Sequence, residues 1–154
     1  MVEIDVDIEE ARWEKEQLEE IESCLDLIEN LQKLFLVKDG TFLQAGDLTK
    51  AKGRRCILGI SGLKYHKYEK FFEVTPAGVH MVAPYEEFNT YIAAPVDSIV
   101  RVLKGVLSGE TSAFTSEWAR GQAKIVGSKH LHDGYVFGQI FQRLARLIKR
   151  YRER

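Results

Sequence analysis

The sequence predicts an α+β fold: a mainly antiparallel sheet of about five strands, covered on one face by helices and preceded by a long N-terminal helix. Three observations predict it. Apolar residues recur at steps of three and four near the N-terminus, alternate strictly through the middle, and return to the helical period at the C-terminus. The length of 154 residues fits one domain with an appended helix, which divides the chain into residues 1–40 and 41–154.

From Asp7 to about Leu36, the residues Leu18, Ile21, Leu25, Ile28 and Phe35 fall on one helical stripe. Asp7 and Glu10 have the spacing of a capping box, and Gly40 ends the unit. The other face is acidic. Between Met1 and Asn30, only Arg12 and Lys15 oppose Glu3, Asp5, Asp7, Glu9, Glu10, Glu14, Glu16, Glu19, Glu20, Glu22, Asp26 and Glu29. Such a face is either solvated or a docking surface for a basic partner, the chain's own basic end included. The stripe itself must be covered by the domain or by a second copy, with a homodimer favoured because the helix is long.

After a polar link around Lys50 to Gly53, Cys56, Leu58 and Ile60 alternate with Gly59 and Ser61. Tyr68, Phe72 and Val74 alternate with Glu69 and Glu73, and Pro76-Ala77-Gly78 supplies a turn. Val79 and Met81 then alternate with His80 and Val82, and Phe88, Thr90 and Ile92 with Asn89 and Tyr91. Short turns between such runs predict antiparallel pairing with one buried face. A helix opens near Asp97, carrying Ile99, Val100, Leu103 and Leu107. Gly109 to Ser116 reads as a polar loop, and Ala123 to Val126 as a short strand between glycines. The last helix, Leu131 to Tyr151, sets Phe137, Ile140, Phe141, Leu144, Ile148 and Tyr151 on one stripe. Its polar side holds Arg143, Arg146, Lys149, Arg150, Arg152 and Arg154.

Net charge is −1, so no global basic field invites nucleic acid, and no aromatic-basic strand pattern suggests it. The basic helix points instead to transient contact with an anionic membrane surface. Cys24 and Cys56 make no CxxC pair, and Met1 to Asp5 lacks the order of a signal peptide, so a cytoplasmic setting is expected. His130-x-His132-Asp133 offers two metal ligands at most, with no third nominated; a surface or capping role is the plainer reading. Cys56 falls in the buried phase of a strand and reads as core. There is no GxSxG, HExxH or Walker sequence, so no enzyme, metal or cofactor is expected.

One ordered set of motifs has a familiar look. The strand Phe88 to Ala94 leads into Asp97 and a helix ending Gly105-Val106-Leu107-Ser108-Gly109. A polar link then reaches Trp118, Gly121, the run Ala123-Lys124-Ile125-Val126-Gly127 and a long helix. This resembles the sterol-carrier-protein (non-specific lipid-transfer) family, over residues 54–151. Trp118 stands where that family usually has Phe, and Ser128 where an Asp often follows the second glycine; Arg54 to Val82 match by pattern only. The resemblance implies a five-stranded sheet under helices, an apolar tunnel between them, and binding of acyl chains or sterols without catalysis. Ile60, Phe72, Ile92, Leu103, Trp118, Phe137 and Phe141 are the expected lining, and each is also what a plain core would contain. The competing expectation is a filled core and an interaction module working through the acidic helix.

Overall fold

The computed structural model describes residues 2–39, 53–75, 78–128 and 131–153. In chain order they form α1 (Val2–Asp39), β1 (Arg55–Ser61), β2 (Glu69–Thr75), β3 (Gly78–Met81), β4 (Thr90–Pro95), α2 (Val96–Leu107), α3 (Ala113–Ala119), β5 (Lys124–Ser128) and α4 (Leu131–Arg152). The class is α+β, with the strands in one sheet ordered β3-β2-β1-β4-β5.

That sheet is mixed. Three neighbouring pairs are antiparallel, but β1 and β4 at its centre run parallel, with Leu58 beside Ile92 and Ile60 beside Ala94. The link over residues 82–89 causes this departure from the mainly antiparallel reading. It is too long for a hairpin turn, so the chain leaves edge strand β3 and re-enters on the far side of β1. On the way, Tyr85 packs edge-on against Phe71, with ring centroids 5.1 Å apart. Its hydroxyl reaches the carbonyl oxygens of Phe72 at 2.6 Å and Cys56 at 3.0 Å. Desolvation at this spot pushes the Tyr85 phenol up to about 12.

Strand alternation sends Cys56, Leu58, Phe72, Val74, Ile92 and Ala94 to the helical face. There they share one core with Ile21, Leu25 and Ile28 of α1, with Ile99 and Leu103 of α2, and with Phe141, Leu144 and Ile148 of α4. The stripe read in α1 is therefore covered by its own chain. Phe35, its last member, lies outside the described side chains.

α1 starts at Val2, earlier than the capping box at Asp7 and Glu10 suggests. Its hold on the sheet is polar as well as apolar. Glu14 is buried and accepts the backbone N–H groups of Lys64 (2.9 Å) and Tyr65 (3.1 Å), with His66 Nδ1 at 3.1 Å. Burial pushes this carboxyl up, but those bonds outweigh it and hold it below its ordinary value. Glu22 accepts from Tyr68 and Lys70, and Glu29 from the Met81 N–H, with His80 Nδ1 at 2.9 Å. Gln32 meets both backbone groups of Val79 at 2.8 Å. Val79 and Met81 lie two apart on β3, and Glu29 and Gln32 three apart on α1. Those two spacings let one helix face satisfy the outward-facing groups of an edge strand, which would otherwise invite another chain. The acidic face thus spends several of its carboxylates inside the molecule, on Lys64, His66, Lys70, His80 and Lys104.

The segment read as a polar loop forms α3 instead. Phe114 and Trp118, four apart, stack at 6.3 Å, and Glu117 between them is buried. The Arg101 guanidinium grips Glu117 with Nε at 2.6 Å and Nη2 at 3.1 Å, and Ser98 donates to it at 3.0 Å. Arg101 chiefly holds that carboxyl below its usual range, against the effect of burial. Tertiary pairing has overridden the weak helix propensity of the Ser- and Thr-rich segment.

Candidate functional site

The parallel β1–β4 pair sets Leu58, Ile92 and Ala94 side by side at the centre of the helical face. α2 leaves β4 directly and crosses above them with Ser98, Ile99, Val102 and Leu103, while Phe114 comes from α3, Phe141 from α4 and Ala123 from the position just before β5. These ten residues enclose an apolar cavity of about 30 Å³. Ser98 is its one polar side chain, and its hydroxyl is engaged by Glu117. A void with no free polar partner is the kind that stays dry.

A second void of about 10 Å³ lies nearer α1, lined by Leu25, Ile28, Glu29, Gln32, Phe72, Val79, Met81, Phe141 and Leu144. Phe141 belongs to both linings, so its ring stands between the two spaces. The wall opposite is thin in another way. Gly138 of α4 has no side chain where the Phe114 ring lies, and a Cβ there would come within 2.8 Å of it. α3 and α4 therefore meet through ring against backbone.

The expected lining separates into groups. Ile92, Leu103 and Phe141 line the larger void and Phe72 the smaller. Ile60 packs against the core at partial burial but lines neither void. Trp118 lines neither void. It is 42% exposed on α3 and reaches the larger void only through its stack on Phe114. Phe137 lies outside the described side chains. Leu58, Ala94, Ser98, Ile99, Val102, Phe114 and Ala123 were not singled out from sequence. Leu58 and Ala94 share the alternation that marked Ile92; Phe114 carried a signal in its four-residue spacing from Trp118.

Among the described residues no group of three His, Cys, Asp or Glu side chains is placed to hold a metal. The pair His130 and His132 lies outside the described side chains. Cys56 is buried in the core. Burial and nearby Glu20 push the Cys24 thiol up, which disfavours a reactive thiolate. An open cleft of about 580 Å³ between α2 and α3 is lined by Glu110 and by charged groups that pair, Arg101 and Arg120 with Glu117 and Lys104 with Glu20. No described helix is long and apolar enough to cross a membrane.

No protein-family model matches the sequence, and neither does any curated protein. Solved structures similar in fold include the following two. One is described as "UbiJ-SCP2 Ubiquinone synthesis protein", at 12% identity and a TM-score of 0.47 over 79% of this chain and 95% of that one. The other is a conserved hypothetical protein from Thermus thermophilus, described as possibly a sterol carrier protein, at 14% identity and a TM-score of 0.41 over 81% of this chain and 80% of that one. Both descriptions name the sterol-carrier type that the second half of the sequence resembles. At these values the similarity is one of outline, and the residues themselves have to carry a functional reading.

Proposed function

We propose that the protein binds an apolar small molecule, a lipid or fatty acyl chain, between the sheet and helices α2 to α4, and carries it without catalysis. The observation that supports this is the pair of apolar voids meeting at Phe141, in a layer whose polar groups are already satisfied. Neither void is large enough as it stands. Ligand pockets run to about 300–1,000 Å³, against about 30 and 10 Å³ here. Binding therefore requires the Phe141 ring to turn and α4 to lift from the sheet, merging the two spaces.

The energetics permit it. Each methylene withdrawn from water is worth about 0.8 kcal/mol, so an acyl chain can hold the slot open by contact alone. A bilayer offers the same gain, so a carrier has only to match the membrane and lower the barrier to leaving it. Arg146, Lys149, Arg150 and Arg152 are exposed on α4. Against an anionic surface each would add about 1 kcal/mol.

Titration with a fluorescent long-chain fatty acid tests the proposal, alongside solvent extraction and mass spectrometry of the purified protein. Saturable binding at micromolar concentration or tighter is expected, weakened at least tenfold in Ala123→Leu, which fills the larger void. Absence of saturable binding would sink the proposal.

A further inference from the structure

α3 separates an apolar space from a wet one. Phe114 lines the larger void, while Ala113, Ser116, Glu117 and Arg120 line the open cleft beside α2. Its outer positions, Thr115, Trp118 and Ala119, are exposed. Among the described residues, the backbone hydrogen bonds donated by residues 113–122 end on carbonyls between Glu110 and Trp118, so the segment carries its own bonds when it moves. Glycines in the left-handed region bracket it, Gly109 at φ +87° and Gly121 at φ +75°, and glycine leaves that conformation without penalty.

Side chains tie α3 to its neighbours. Ala113 lies over Gly105, where a Cβ would come within 2.7 Å of it, and Phe114 rests on Gly138 of α4 in the same manner. Glu117 accepts from Arg101 and from Ser98 of α2. Ser98 itself lines the void, so its bond to Glu117 closes the wall between void and cleft.

We propose that α3 is the door of the apolar slot, with Phe114 as its plug and the Glu117–Arg101 pair as its latch. This rests on the reading that the slot takes an apolar ligand: displacement of α4 makes room, and α3 uncovers the way in from solvent. The two motions are coupled, because lifting α4 takes Gly138 away from the Phe114 ring. The latch opposes opening whether the slot is empty or filled. It therefore slows entry and exit alike and leaves affinity unchanged.

Thiol labelling of the full chain tests the door without a ligand. Ala94→Cys places a thiol on the floor of the larger void. Cys56, buried in the core and lining neither void, reports wider unfolding, and peptide mass mapping separates both from Cys24. Adding Glu117→Gln, which keeps the shape and loses the charge-assisted pair, should speed labelling at position 94 about tenfold and leave Cys56 unchanged. Arg101→Gln cuts the same bond from α2 and should act in the same direction, with little added in the double variant. In stopped-flow mixing with a fluorescent long-chain fatty acid, Glu117→Gln should raise association and dissociation rates by the same factor. Labelling that rises at both thiols together, or at neither, overturns the door, and so do binding rates left at their wild-type values. Latch-dependent labelling in a chain that binds no fatty acid would support the door and overturn the lipid reading.

Discussion

The two flanks of the helical layer are held by different forces. On the α1 flank, Glu14, Glu22, Glu29 and Gln32 make directional bonds to strand and loop backbone and to cationic side chains, over and above the buried Ile21, Leu25 and Ile28. On the α4 flank, Phe141, Leu144 and Ile148 pack into the shared apolar core, and Arg152 donates to the Ser108 carbonyl at 3.3 Å. Apolar contact is non-directional and can be exchanged for contact with a ligand at little cost. A buried hydrogen bond cannot, because a displaced partner is left unsatisfied. Under the proposed function the contrast gives the two flanks different parts, with α4 as the wall that moves and α1 as the one that stays.

The most disruptive way to probe the contrast is Phe141→Ala. It empties the residue shared by both voids and should destabilise the fold by about 3–5 kcal/mol in a denaturant titration. The enlarged apolar space should then bind benzene or xenon, which the wild type should not. Gln32→Leu probes the other flank. It leaves the N–H and C=O of buried Val79 without partners, at about 1–3 kcal/mol for each group. Lipid binding should survive that change if the α1 flank is only a support.

Acid sharpens the comparison further. Glu14, Glu22 and Glu117 all titrate below their ordinary value of 4.5 when folded. The unfolded chain therefore binds protons more readily than the native one. Their contribution is complete above the unfolded value and is lost as pH falls through the lowered folded values. Melting temperature should drop on acidification below about pH 4.5, and Glu14→Gln should flatten that acid limb while lowering stability at neutral pH. The smallest effect concerns Trp118. In Trp13→Phe protein its emission should be that of a half-exposed indole, and ligand should shift it modestly by moving Phe114.

What was legible in the sequence follows the same division. Periodicity located α1, α2, α4 and the buried face of the strands, because apolar burial leaves a regular trace: Ile21, Leu25 and Ile28, or Cys56 and Phe72, could be read by spacing alone. Four of the seven expected lining residues, Ile92, Leu103, Phe72 and Phe141, border one of the two voids, and their spacing marks them as core in the same way. Pairings set by distant partners left no local trace. The parallel β1–β4 pair depends on where the link over residues 82–89 goes, and α3 on Arg101 reaching Glu117. The turn of Glu14 and Glu29 inward was equally hidden, since a carboxylate bound to backbone N–H groups looks in sequence like any solvated one.

The central claim, that an apolar ligand enters by moving α4 while α1 stays clamped, is tested most directly by hydrogen exchange with and without a saturating long-chain fatty acid. The account predicts changed protection along α4 and α3 and unchanged protection in α1 between Glu14 and Gln32. Altered exchange in α1 with none in α4, at ligand saturation, would contradict it.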